Sequence, residues 1–337
     1  MTARDALIAA FLDSAGWAGA ERGTLAADAS FRRYDRVRLG TRRAVLMDAP
    51  PEHEDIARFI DLANHLRGLG YSAPEPIRAD LDAGLLLLED LGDDTFTRLL
   101  TGGADERSLY FLATDLLIDL HRKPPEESVY DALPHYSDQL FLDEVALLAD
   151  WYIPAVFGQS LAADTRADYI ATWRSALPFA RAVPETLVLR DYHVDNLMRI
   201  DGREGIAACG LLDFQDAVTG PASYDFVSLV GDARRDVPFA LAEELRRRYL
   251  DGVPTMDAND FDRSCAILGA QRHCKVIGIF TRLCVRDGKS GYLDHILRVW
   301  RMLENALRHP ALAEISTWLD AHIPPSNRIV PPCRPAA

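Results

Sequence analysis

The stretch Leu189-Arg-Asp-Tyr-His-Val-Asp-Asn196 decides how this chain is read. It carries the pattern D-x-x-x-x-N, from Asp191 to Asn196, between the short apolar strands expected at Leu187–Leu189 and Asn196–Ile200. Twenty-two residues after Asp191 comes Leu211-Leu-Asp-Phe-Gln215, in which Asp213 directly follows another apolar strand. Two carboxylates and an amide so spaced suit phosphoryl transfer, where one acid receives the acceptor's proton and hard oxygen donors hold a divalent cation against the phosphates. The loop must present a carboxylate to the nucleophile, then turn within four residues so that an amide oxygen faces the metal. Asp191 is therefore the expected catalytic base, and Asn196 and Asp213 the expected Mg²⁺ ligands.

Upstream, the pattern is that of a small sheet. Residues 1–15 read as an amphipathic helix ending near Gly16. Asp35–Leu39 and Arg43–Asp48 form a hairpin about Gly40-Thr41, and the second strand is apolar enough to be buried. A helix follows Pro50-Pro51, with Ile56, Phe59, Ile60, Ala63 and Leu66 at helical spacing, and Gly68 and Gly70 end it. A second strand pair surrounds Pro74-Glu-Pro76 and closes at Gly84–Glu89. After Gly92 the chain turns helical, over 106–122, 138–151, 164–180 and most of the stretch to about 322. The expected organisation is an α+β chain with an N-terminal lobe at 1–91, a larger α-helical C-terminal lobe at 92–325, and a tail at 326–337 whose Pro331-Pro-Cys-Arg-Pro335 is expected to be disordered.

Composition narrows the class. The 337 residues carry a net charge of −14, which works against a general nucleic-acid binder. No apolar run is long enough to span a bilayer, and the N-terminus, with Asp5 and Asp13 around a short apolar stretch, does not read as a signal peptide. The five cysteines (209, 265, 274, 284 and 333) form no C-x-x-C pair, so reduced thiols in a cytoplasmic protein are expected. Seven arginines between Arg22 and Arg43, against Glu21, Asp28 and Asp35, read either as a solvated strand face or as a local attraction for phosphate oxygens.

The motifs resemble the aminoglycoside phosphotransferase/choline kinase superfamily, whose catalytic loop commonly reads H-G-D-x-x-x-x-N and whose metal strand reads I/L-D-W/F. Here the usual His and Gly are replaced by Leu189 and Arg190. Gly220-Pro-Ala-Ser-Tyr-Asp225 is similar to a segment whose acid braces the lobe, and Ile118-Asp-Leu-His121 to one closing a helix with a packed histidine. More particularly, Asp28-Ala-Ser-Phe-Arg-Arg-Tyr34, Met47-Asp-Ala-Pro-Pro51, Leu88-Glu-Asp-Leu-Gly92 and Leu212-Asp-Phe-Gln-Asp216 resemble the N-acetylmuramate/N-acetylglucosamine anomeric kinases of cell-wall recycling. The resemblance implies a bilobal protein-kinase-like fold, ATP and Mg²⁺ as cofactors, and an amino-sugar substrate phosphorylated at its anomeric hydroxyl. It also implies a separate uridylyltransferase that receives the product. Other kinases of this fold, for aminoglycosides, choline or homoserine, and a nucleotide-binding pseudokinase remain alternatives.

On the ATP side the resemblance makes Asp28-Ala-Ser30 and Phe31 the turn over the phosphates, without the glycines of a Gly-rich loop. Ala44-Val-Leu-Met47 has the form of a V-A-I-K strand with methionine in place of the lysine that grips phosphate. Arg32 or Arg33 is expected to supply that charge, and Glu52 or Glu54 then lacks its usual lysine partner. Glu89, through its C=O, and Leu91, through its N–H, are expected to pair with adenine. Arg190 is a candidate for a substrate carboxylate. Trp151, Tyr152 and Trp173 could cage a choline-like cation or pack in the core.

Overall fold

The computed structural model describes residues 2–27, 32–130 and 132–333. The chain divides into two compact units, residues 1–113 with 194–216 and residues 114–193 with 217–337.

The first unit is built on five antiparallel strands in the order β1-β2-β3-β5-β4. These are β1 (Glu21–Ala27), β2 (Arg33–Leu39), β3 (Arg42–Asp48), β4 (Pro76–Asp80) and β5 (Leu85–Leu88). The hairpin read about Gly40 is present, with Val37 opposite Ala44 and Tyr34 opposite Met47. Both faces of β3 are apolar because both are covered. Ala44 and Leu46, with Val37, Leu85 and Leu87, pack under Ile8, Phe11 and Leu12 of α1 (Ala3–Ser14). Val45 and Met47 necessarily project to the other face. There lies α2 (Ile56–Gly68), whose N-cap Asp55 accepts from the N–H groups of Ala57 and Arg58 and whose Phe59, Leu62, Ala63 and Leu66 are buried.

After α3 (Phe96–Thr101) and the start of α4 (Glu106–Arg122), this unit is completed from a distant part of the chain. That later segment carries the β7–β8 hairpin (Leu197–Arg199 and Cys209–Leu211). It is stitched in by backbone bonds from Leu211 N–H to Ser72 O (3.0 Å) and from Arg199 N–H to Asp94 O (2.8 Å), and by the Ser72 hydroxyl to Ala207 O (2.6 Å).

The second unit is helical. It holds the rest of α4, then α5 (Pro125–Ser128), α6 (Asp138–Leu147), a π-helical turn at Leu148–Tyr152, α7 (Ile153–Phe157) and α8 (Ala163–Ala180). A two-stranded ladder of β6 (Glu185–Val188) and β9 (Val218–Pro221) follows. The remaining helices are α9 (Ser223–Val230), α10 (Phe239–Gly252), α11 (Ala258–Asp287), α12 (Ile296–Ala306) and α13 (Ala313–His322). Buried residues surround α11 on all sides over its middle turns, the mark of a central helix. It approaches α6 closely at Gly278, where an added Cβ would lie 2.3 Å from the Leu147 backbone carbon. One turn earlier on each helix, the same approach brings Lys275 to Glu144.

Two expectations are corrected. The cysteines are not all thiols: Cys284 on α11 is disulfide-bonded to Cys333, with Cα atoms 5.8 Å apart, while Cys209, Cys265 and Cys274 are free. The tail is therefore tied down as far as Cys333, and the Tyr152 hydroxyl and the backbone of Asn327 and Ile329 are hydrogen-bonded to one another. Of the two readings of Tyr152 and Trp173, packing in the core holds: both are fully buried in the helical core. No helix among the described residues is long and apolar enough to cross a membrane.

Candidate active site

Within the first unit a cavity of about 620 Å³ opens beside the sheet. Its apolar wall comes from Tyr34, Val45 and Leu88 on the strands, with Phe59 of α2 stacked on Phe214 at 4.9 Å between ring centroids. The segment Glu89–Asp93 forms one side, and Asn196, Met198, Leu212 and Asp213 form the other. Four residues singled out from sequence, Glu89, Leu91, Asn196 and Asp213, thus line one cavity. Ser30 and Phe31, expected over the phosphates, lie outside the described residues.

The hairpin explains how two distant oxygen donors meet. The N–H of Leu212 donates to the C=O of Asn196 (2.9 Å), so Asn196 and Asp213 sit at adjacent ends of β7 and β8. Asp213 has φ 55°, a left-handed conformation unusual away from glycine, which turns the chain sharply as it leaves the strand. A carboxylate and an amide oxygen are hard donors of the kind Mg²⁺ takes, and two protein ligands leave the positions that phosphate and water would fill. The residues present fit such an ion.

Arg32 and Arg33 separate cleanly. Arg33 is about half exposed and pairs with Asp35 at 2.8 Å. Arg32 is buried, with Nη2 3.1 Å from Asp213 Oδ1 and Nε 3.6 Å from Glu54 Oε2. Glu54, expected to lack its lysine, has an arginine instead. Met47, the residue in the lysine position, is 1% exposed and opposite Tyr34 on β2.

Most of the other arginines of the Arg22–Arg43 run are held in internal ion pairs, a role the sequence reading missed. Arg36 on β2 grips Asp90 (2.9 Å), Asp93 (2.7 Å) and the C=O of Gly92 (2.9 Å). Arg67 of α2 and Arg203 hold the Glu89 carboxylate from the other side. Three arginines therefore fix the acidic side chains along the cavity's Glu89–Asp93 edge.

In the second unit the Asp191 turn is braced from beneath. The Asp225 carboxylate accepts from the N–H groups of Leu189 (2.6 Å) and Arg190 (2.9 Å). Burial outweighs those two bonds and pushes the Asp225 carboxyl up to about 7. Burial would raise Asp191 as well, but Lys275, Arg272, His193 and Arg190 together hold it below the usual aspartate range. Asp191, only partly exposed, is thus kept ionised by neighbouring cations, the state a proton acceptor requires. Arg190, where the resembled pattern has glycine, has φ 68°. Its guanidinium pairs with Glu144, and its side chain is 17% exposed. Lys275, Glu144 and Arg272 were not anticipated, although Gln271, Arg272, His273 and Lys275 crowd one stretch of an otherwise apolar helix, a signal of buried polar work. His121 is a packed histidine, as expected; it contacts the Tyr249 hydroxyl and is pushed down to about 3 by burial.

The chain is similar to known kinases along its length. It is 35% identical to the N-acetylmuramate/N-acetylglucosamine kinase of Caulobacter vibrioides, covering 96% of this chain and 98% of that one. It is 39% identical to the protein of the same name from Pseudomonas aeruginosa, covering 87% and 86%. Among solved structures, the GDP complex of aminoglycoside 2'-phosphotransferase-IIIa superposes with a TM-score of 0.62 at 15% identity, covering 90% of this chain and 99% of that one, which shows the same fold. Residues 23–260 match the model of the phosphotransferase enzyme family. With the D-x-x-x-x-N loop, the L-L-D-F strand end and the protein-kinase-like fold in place, the chain belongs to the phosphotransferase enzyme family.

Proposed function

We propose that this phosphotransferase moves the γ-phosphoryl of ATP to the anomeric hydroxyl of N-acetylmuramate and N-acetylglucosamine, giving the sugar 1-phosphate. The observation that carries the acceptor side is the similarity, over most of the chain, to relatives from Caulobacter vibrioides and Pseudomonas aeruginosa that are named for these two sugars.

In this reading Asp191 receives the proton of the sugar O1–H as the O1–P bond forms and the bond from the γ-phosphorus to the bridging oxygen of ADP breaks. The Glu89 C=O and Leu91 N–H pair with adenine. Arg32, oriented by Glu54, holds phosphate oxygens in place of the missing lysine. Asn196 and Asp213 would hold Mg²⁺, which would supply positive charge against the phosphates. The reaction belongs to the cytoplasm and to peptidoglycan recycling, where a separate uridylyltransferase takes up the product.

The test is turnover of Mg·ATP against N-acetylmuramate, N-acetylglucosamine, kanamycin, choline and homoserine. An acid-labile sugar 1-phosphate is the expected product. Phosphorylation of kanamycin or choline in place of the sugars overturns the acceptor, and ATP binding with no turnover of any of them makes the chain a pseudokinase.

Arg32→Ala carries a second expected outcome. Loss of one charged phosphate contact should raise the KM for ATP by roughly ten- to a hundredfold, from roughly 1.5–3 kcal/mol for a hydrogen bond to a charged group, while the KM for sugar stays put. Arg33→Ala, removing a half-exposed arginine, should change neither. Steady-state kinetics with ATP as the varied substrate separates the two.

A further inference from the structure

The residue just before the proposed base is restrained through its backbone and its side chain alike. Arg190 lies at φ 68°, a region costly to an L side chain and open to glycine. Its N–H donates to Asp225 Oδ1 at 2.9 Å. Its C=O accepts from the Ser228 hydroxyl at 3.1 Å, and that hydroxyl accepts in turn from Arg272 at 2.8 Å. Its guanidinium pairs with Glu144 and lies over the Tyr136 ring, 5.3 Å from the centroid.

Glu144 is itself locked from several sides. Lys275 Nζ is 2.8 Å from the oxygen that meets Arg190, and the other oxygen accepts from Tyr136 Oη (2.5 Å) and Gln271 Nε2 (2.8 Å). Its side chain is 7% exposed, so the network is shielded from water and its geometry is firm. A guanidinium committed inside such a network acts on the turn rather than on a ligand.

We infer that Arg190 is a positioning residue: anchored through Glu144 to α6 and α11, its side chain holds the left-handed turn that sets the direction of Asp191. Glycine at this position would allow the same backbone without strain, but would also allow others. The arginine selects one. This rests on the reading of Asp191 as base, and it assigns Arg190 a role other than contact with a substrate carboxylate.

The test is Arg190→Gly, with Glu144→Gln as a second variant, each assayed with N-acetylmuramate and N-acetylglucosamine. Arg190→Gly relieves the backbone, and Lys275 still pairs with Glu144, so the variant is expected to fold with the wild-type circular dichroism spectrum. A base misplaced by a loosened turn should lower kcat by roughly ten- to a hundredfold. The loss should be equal on the two sugars, with both sugar KM values and the KM for ATP unchanged. Glu144→Gln should show the same kcat-only pattern, and the double variant should be no slower than Arg190→Gly alone. A rise in KM for N-acetylmuramate alone would make Arg190 a carboxylate ligand and overturn the inference, as would a wild-type kcat in Arg190→Gly. A wild-type enzyme inert on both sugars overturns the kinase reading itself, and the inference with it.

Discussion

Asp191→Asn is expected to fold, to bind ATP as the wild type does, and to lose roughly 10²–10⁴-fold in kcat, the contribution typical of a positioned general base. The amide matches the carboxylate in size and in its acceptor oxygen but cannot take up a proton, so binding and chemistry separate. Single-turnover kinetics together with ATP titration would show it, and retained turnover would remove Asp191 from the mechanism. The pH dependence follows from the cations around it. A carboxyl held below the usual range stays ionised through neutrality, so the rate should show no carboxylate limb near pH 7. It should fall only as pH drops through a value beneath that of an ordinary aspartate. The same sign applies to stability: the ionised group stabilises the fold above its unfolded pKa and loses that effect as pH falls through the folded one. Asp191→Asn, which leaves Lys275 and Arg272 without that charge, should therefore melt slightly below the wild type.

The largest loss of stability is expected from Asp225→Ala. Asp225 is completely buried, and its two oxygens satisfy the N–H groups of Leu189 and Arg190. Each buried donor left without an acceptor costs about 1–3 kcal/mol, so the pair should cost about 2–6 kcal/mol, read as a fall in the denaturant midpoint. Activity should fall with it, because those bonds hold the turn carrying Asp191. The raised carboxyl adds a pH signature. A group whose folded value is about 7 against 3.8 favours the fold at low pH and loses that contribution as pH rises through about 7. The gap between wild type and Asp225→Ala should accordingly narrow between about pH 4 and 7. A gap that widens over that range would mean that the two N–H bonds outweigh burial.

What the sequence disclosed was mostly local. The Asp191–Asn196 loop and the Asp213 strand end were legible because their spacing is a few residues and their flanks are apolar. The hairpin about Gly40 and the helix from Ile56 were legible for the same reason, since periodicity is a short-range signal. β1 escaped because Glu21–Leu25 are all exposed, so no alternation marks the strand, and β9 escaped because Val-Thr-Gly-Pro reads as a turn. Partners distant in the chain were hidden by their nature. Nothing near Arg36 announces Asp90 and Asp93, nothing near Glu144 announces Lys275, and Cys284 and Cys333 stand 49 residues apart. Charge runs show that ions must be paired without showing with what.

The composition of the first unit bears on how the protein is made. Its sheet and α2 are encoded by the first 113 residues, yet Asn196, Asp213 and the β7–β8 hairpin arrive only with residues 194–216. On the ribosome, at about 5–20 residues per second, the early strands must wait several seconds for the segment that completes them. During that wait Phe59 has no Phe214 to stack on, and the polar edge at Ser72 lacks its hairpin. A nascent chain stalled before residue 194 should be open to protease and poor in ligand binding. For the same reason, the N-terminal segment expressed alone would make a poor minimal nucleotide-binding fragment, and any dissection of this enzyme has to carry both pieces.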